Sequence, residues 1–285
     1  RQTMEPSKDY IFYHKGCCFP EKITTPEYID SLETFEIRDS DVFLVTFPKS
    51  GTVWTQNILS LIIHEGHRNG TENIENMDRI PWLELNVKNM DYTALPSPRV
   101  FATHLPYYLT PRDLRNKRAR VSMTVGLPLT CHPKSTCMLP LASASHPVVG
   151  APVPGGKWLD HVTGWYSHAQ DFNILFLTYE EMKKDLQSAV LKICNFLGRK
   201  LSEKEVESVV RQATFENMKK DPRANYEKLP EIFQGNKEGY FLRKGTIGDW
   251  KNTMTVAQSE RVDEVLKKKL ENLPIKFIWD INDQT

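Results

Sequence analysis

The sequence has no long hydrophobic run. Its longest apolar stretch, Ile58 to Ile63, is interrupted by Ser60 and falls well short of the roughly 20 residues that a membrane-spanning helix needs. It has no excess of either charge. Lys and Arg number 37 against 36 Asp and Glu, a net +1, so a dedicated nucleic-acid binder is not expected and any anion site must be local. No apolar core interrupts the polar and aromatic stretch Arg1 to Lys15, so no secretory signal is expected there. Cysteine is scarce. Its five positions, Cys17, Cys18, Cys131, Cys137 and Cys194, are odd in number and irregular in spacing, which argues against a disulfide framework and suits free thiols in a reducing cytosol. Standard metal spacing is also missing. His64 and His67 have no matching ligand pattern, and Cys131, His132, Cys137 and His146 fit no usual zinc site, so no metal is expected. Finally, the nucleotide-binding G-x-x-x-x-G-K-[ST] does not occur, which argues against a small-molecule kinase.

What the sequence does contain is organised around Asp41 to Trp54, DVFLVTFPKSGTVW. Val42, Phe43, Leu44 and Val45 form a continuous apolar run, the pattern of a strand buried on both faces in a parallel sheet. Pro48 ends the ladder, and a short polar loop, Lys49-Ser50-Gly51-Thr52, leads into a helical pattern with Trp54, Ile58, Leu61 and Ile62 on one face. Strand, glycine-bearing loop and helix N-terminus make an anion cradle, because free backbone N–H groups and the helix dipole both face the ligand. Lys49 adds a point charge, and Ser50 and Thr52 add hydroxyl donors.

The 285 residues suffice for one large α/β domain, residues 1–285, or two small ones. Residues 1–40 read as a polar entry segment in which Tyr10, Phe12, Tyr13 and Phe19 mostly pack on a core. Thr25 and Pro26 start a helix, as cap and first helical residue. His64 to Asp78 reads as a loop with solvated histidines. Val100 to Thr103 is a second buried strand, which puts His104 at the strand's C-terminal end, the edge where open α/β sheets bind ligands. Asn173 to Tyr179 is another strand. Ser188 to Leu197 is helical and is stopped by Gly198, while Ser202 and Glu205 form the capping box of the next helix. Near the end, Arg243 and Lys244 beside Gly245 suit a dianionic phosphate. The closing helix, Val256 to Leu270, is expected to bury Val256, Val262, Val265 and Leu266.

Two of these strings, TFPKSGTVW and RKGTIGDWKN, closely resemble the 5′-phosphosulfate loop and the 3′-phosphate loop of the cytosolic sulfotransferases. The amine sulfotransferases are the nearest group. The resemblance implies one α/β domain with a central parallel sheet, helices on both faces, and 3′-phosphoadenosine 5′-phosphosulfate (PAPS) across its C-terminal edge. It implies sulfuryl transfer to an amine or hydroxyl of a small, mostly apolar acceptor, in the cytoplasm and without a metal. His104, in T-H-L-P, corresponds to the catalytic base, although Ala102 stands where members often carry Lys. Lys49 corresponds to the group that stabilises the leaving phosphate. Ser50, Gly51, Thr52, Val53 and Trp54 correspond to the rest of the phosphosulfate loop, and Tyr179, Thr214, Phe215 and Met218 to the adenine end. Arg243, Lys244 and Gly245 correspond to the 3′-phosphate loop. Lys251, Thr255, Val256 and Glu260 match the family's short dimerisation motif, which implies a homodimer.

Between residues 10–120 and 156–283, where the resemblance holds, Val121 to Gly155 departs from the family. Members carry R-N-P-K-D-V and then a serine there, and that Arg and Ser also grip the 3′-phosphate. This chain has neither match. Its segment contains Pro128, Pro133, Pro140, Pro147, Pro152 and Pro154, no acidic or aromatic residue, and Lys134 as its one formal charge. Such composition favours irregular chain, with Val121 to Leu127 still available to the central strand. The expected consequence is weak PAPS affinity with low or absent activity. The alternative function is therefore a catalytically impaired binding protein that keeps the fold.

Overall fold

The computed structural model describes residues 11–67, 73–116, 118–126, 156–227, 241–242, 244–248, 255–271 and 273. Its centre is a four-stranded sheet made of β3 (Val42–Thr46), β4 (Val100–Thr103), β5 (Arg120–Val125) and β6 (Asn173–Thr178). The spatial order is β4-β3-β5-β6 and every pairing is parallel. The chain leaves β3 to one side for β4 and then crosses to the other side for β5. The C-terminal end of β3 is thus the topological switch point, where neighbouring connections diverge and leave a crevice.

The unbroken apolar run of β3 is explained by layers on both faces. Phe43 and Val45 pack with Phe101, Val121, Met123, Trp158 and Trp165. Val42 and Leu44 point the other way, into Ile58, Leu59, Ile62, Val190, Ile193 and Val206. The second layer is built by α2 (Thr52–Ile63), α6 (Leu186–Leu197) and α7 (Glu203–Gln212), and the first by α4 (Trp158–Ser167). Each fully buried aliphatic or aromatic side chain here stabilises the fold by about 1.5–3 kcal/mol relative to exposure. The entry to the sheet is pinned by a buried pair: Arg99 donates from Nε to Asp41 Oδ1 (3.0 Å) and from Nη2 to Asp41 Oδ2 (2.5 Å).

Several local expectations hold. Thr25 caps α1 (Pro26–Ser31), Gly198 ends α6 in the left-handed conformation, and Ser202 with Glu205 forms a complete capping box on α7. The central strand is completed by β5, which ends at Val125, so the unusual composition begins only after a regular strand. Other expectations need correction. Residues 11–20 form a hairpin, β1 (Ile11–His14) with β2 (Cys17–Pro20), turned by Lys15 and Gly16 at positive φ. Phe12 and Phe19 stack at 5.6 Å across it, while Tyr13 is exposed; Tyr10 lies outside the described residues. Thr178 caps a short helix, α5 (Tyr179–Lys184), so Tyr179 begins that helix rather than ending β6. His64 Nδ1 lies 2.7 Å from the Ser60 carbonyl, and the turn α3 (Asn76–Arg79) starts inside the expected loop. Thr214 caps a separate helix, α8 (Phe215–Lys220). In the closing helix, α9 (Val256–Leu270), Leu266 is buried but Val256 is 75% exposed, because the apolar stripe begins further along the helix. The side chain of Val262 lies outside the described residues, as do Cys131, His132, Cys137 and His146. No helix among the described residues is long and apolar enough to cross a membrane, and no described cluster could hold a metal ion.

Candidate active site

The loop between β3 and α2 turns through two residues at positive φ, Lys49 (64°) and Gly51 (96°). Gly51 serves as the N-cap of α2. A side chain there would be strained by the dihedral and would also place a Cβ 2.9 Å from the Tyr179 ring. Ser50 Oγ donates to the Gly126 carbonyl (3.1 Å), tying the loop to the residue just past β5. The Lys49 ammonium lies 4.0 Å from the centre of the Phe241 ring. This favourable contact also keeps the charge at the mouth of the loop.

Next to the loop stands His104, buried and at the end of β4. Its Nδ1 is 2.7 Å from the Thr46 carbonyl. A carbonyl only accepts, so the proton sits on Nδ1 and the lone pair on Nε2. The Thr46 hydroxyl lies 3.2 Å from the same nitrogen and 2.7 Å from the Thr52 hydroxyl, which joins the histidine to the first turn of α2. Burial pushes the His104 pKa down to about 4, the Lys49 charge pushes it further the same way, and the Thr46 bond opposes both. The imidazole is therefore neutral near pH 7 with a lone pair to accept a proton. Its backbone N–H donates to Glu84 Oε1 (2.7 Å), and the Trp82 ring centre lies 4.5 Å from its own.

The sequence-predicted residues at the other end also converge. Trp54 donates from Nε1 to the Ala213 carbonyl (2.7 Å) and meets the Tyr179 ring edge-on at 5.2 Å. Thr214 caps α8, so Phe215 projects from that helix's first turn, against Gly245. The packing is close enough that any Cβ on Gly245 would overlap the Phe215 ring. Val53 and Met218 are buried together with Tyr226. What Val53 offers an anion is therefore its backbone N–H, and the Met218 side chain is core. Lys244 is exposed beside Gly245, while Arg243 lies outside the described residues. In the last motif Thr255, Val256 and Glu260 are exposed, and Lys251 lies outside the described residues.

Sequence reasoning missed Glu84, His161 and Phe241. Glu84 is a single acid in the apolar string IPWLEL, and that isolation was the available signal. His161 is buried on α4 with its ring 5.7 Å from Phe47, and burial pushes its pKa down to about 3. Nothing in the sequence distinguishes Phe241 from an ordinary packing residue.

A cradle of backbone donors and one lysine, beside a neutral base at a sheet switch point, is suited to transferring a group from an anionic donor. The model of the sulfotransferase domain matches residues 39–125 and 142–274. The chain belongs to the sulfotransferase family. Amine sulfotransferase of Oryctolagus cuniculus is 48% identical over 99% of this chain and 97% of its own length. Human sulfotransferase 2B1 is 36% identical over 94% of this chain and 76% of its own. The crystal structure of mouse sulfotransferase SULT7A1 complexed with PAP shares the fold with a TM-score of 0.72, at 27% identity, covering 93% of this sulfotransferase and 96% of that chain. The family match runs to the end of β5 and resumes at residue 142, so the unmatched part is 126–141, narrower than the 121–155 read from composition.

Proposed function

We propose that this sulfotransferase moves the sulfuryl group of PAPS to an amine or hydroxyl of a small, mostly apolar acceptor. The observation that carries the reading is the pairing of Lys49, at the mouth of the anion cradle, with His104, whose free Nε2 is fixed by the Thr46 carbonyl. The relative PAP complex and the amine sulfotransferase likeness support the donor and the acceptor class. The acceptor lone pair attacks sulfur while the bond from sulfur to the bridging phosphate oxygen breaks, and adenosine 3′,5′-bisphosphate (PAP) leaves. His104 Nε2 takes the acceptor's proton, and Lys49 meets the charge growing on the leaving phosphate. The loop amides and the hydroxyls of Ser50 and Thr52 hold the 5′-phosphate, and Trp54, Tyr179 and Phe215 frame the adenine. Because sulfate arrives activated, positioning supplies much of the remaining acceleration. A cavity of about 250 Å³ lies behind Trp82, lined by Leu85, Met90 and Tyr226 but also by Glu75, Asp78 and Arg223. His104 is not part of its lining and meets it only through Trp82, so it is a candidate space for an acceptor's distal part rather than for its reacting atom.

Replacing Lys49 with Ala is expected to lower kcat more than it weakens PAP binding, because the charge it meets develops in the transition state. Steady-state kinetics beside PAP calorimetry checks this; equal losses in both would remove the assigned role.

The same reading includes one domain, a cytosolic setting and a homodimer through Lys251 to Glu260. Val256, an apolar side chain that is 75% exposed, supports the contact. A segment this short makes a small interface, so Val256→Glu is expected to yield monomer in sedimentation velocity. An unchanged species would remove the assignment.

A second reading, a catalytically impaired nucleotide-binding protein, is favoured by the break in the family match at residues 126–141. Transfer of label from PAPS separates the two.

A further inference from the structure

A buried imidazole with its pKa near 4 is a weak base, and the imidazolium formed by proton transfer has to be balanced by something. The neighbouring chain supplies a candidate. Residues 81–83 run beside β4: Ala102 N–H donates to the Pro81 carbonyl and Leu83 N–H to the Ala102 carbonyl, both at 2.9 Å. One step further this backbone pairing stops, and the Glu84 side chain takes its place, accepting the His104 N–H at 2.7 Å. Glu84 is fully enclosed, 3% exposed. Its other oxygen, Oε2, has no hydrogen-bond partner among the described residues. A carboxylate in such surroundings with no cation paired to it is costly unless it serves a charge that appears in the reaction.

We propose that Glu84 is a positioning residue for the base: it fixes His104 at the end of β4 and supplies the negative charge that offsets the imidazolium formed during transfer. It touches neither nucleotide nor acceptor. It resembles the aspartate of a hydrolase triad in electrostatic role, but it acts through the backbone N–H because Thr46 already occupies Nδ1.

The role makes turnover depend on the state of Glu84. Burial raises its pKa to about 7, opposed by the hydrogen bond from the His104 amide. Below pH 7 the group is a neutral acid and offers no counter-charge; above pH 7 it is ionised and the transition state is stabilised. The other titratable groups facing it are Tyr28 on α1 and Tyr92 before β4, both pushed upward by burial and uncharged throughout this range. Lys49 and His161 face His104, and burial keeps His161 neutral across the same range.

Glu84→Gln keeps the shape and the oxygen that accepts from His104, and removes the charge. The wild-type His104 amide signal, followed by NMR without any turnover, is expected to titrate with a midpoint near pH 7 and to be flat in Glu84→Gln. With aniline as acceptor, kcat is expected to rise through the same midpoint in the wild type. In Glu84→Gln it should lose that rise and fall roughly ten- to hundredfold above pH 8, with KM for PAPS unchanged, the size expected for a charge-assisted contact. A wild-type amide signal that is flat from pH 5.5 to 8.5, or a folded Glu84→Gln with wild-type kcat and pH profile, would overturn the proposal. The kinetic arm rests on the sulfuryl-transfer reading. If wild-type protein shows no turnover of aniline, that acceptor reading fails, while the amide titration still decides whether Glu84 ionises against His104.

Discussion

Calorimetry is expected to show that this chain binds PAPS weakly and hardly distinguishes it from adenosine 5′-phosphosulfate, which lacks the 3′-phosphate. The proposed site for the 5′ half of the donor is a regular cradle: positive-φ turns at Lys49 and Gly51, Ser50 held on Gly126, and the N-terminus of α2. The 3′ half does not. The family resemblance assigns the 3′-phosphate to two arginines and a serine together with the Arg-Lys-Gly loop, and this chain has only Arg243, Lys244 and Gly245. The missing Arg and Ser belong to the stretch after β5, where the family match is interrupted at 126–141. Each charge-assisted hydrogen bond contributes about 1.5–3 kcal/mol. At about 1.4 kcal/mol per decade, losing one or two weakens binding about ten- to several-thousand-fold. Lys134 is the one cation in the altered segment, so at most one of the missing contacts has a charged substitute there. Tight binding of PAPS with strong rejection of the analogue would show that the 3′-phosphate site is intact and that the residues holding it come from elsewhere in the chain.

The second large effect is expected at His104. Removing a positioned general base costs on the order of 10²–10⁴ in rate. His104→Ala is accordingly expected to lower kcat by at least about a hundredfold and to weaken PAP binding far less, since the imidazole reaches the proposed 5′-phosphate loop only through the Thr46 and Thr52 hydroxyls. Comparing kcat with PAP calorimetry on the same protein reads this directly. A parallel loss of PAP binding would mean that His104 supports the nucleotide site instead of the chemistry.

Much of this arrangement was legible in the residues. The run Val42 to Val45 is apolar without alternation because both faces of β3 are covered, and that alone argues for a parallel sheet between helix layers. Caps were equally readable, because Thr25, Gly198, Ser202 and Glu205 act within a few residues of themselves. The strand-loop-helix element and the place of His104 at a strand end were legible too. What was not legible depends on contacts distant in sequence. Glu84 binds an amide 20 residues away, and Gly245 is required because Phe215 crosses it. Periodicity placed Val256 on an apolar face, but no described layer covers the first turn of α9, so it stays exposed. The hairpin of β1 and β2 was hard to read because its strands, IFYH and CCFP, are only four residues long and do not alternate, although Lys15-Gly16 is a turn of the kind that joins two short strands.

The central claim is that the cradle and His104 together carry out sulfuryl transfer even though the 3′-phosphate site is incomplete. The measurement that tests it is transfer of sulfur-35 from labelled PAPS to aniline by the intact chain, with PAPS raised until the rate no longer increases. The account predicts labelled product from the wild type at high PAPS and its loss in His104→Ala. No labelled product from folded chain that calorimetry shows to be saturated with the nucleotide, across aniline and a panel of other amines, phenols and steroids, would contradict it and leave a protein that binds the donor without using it.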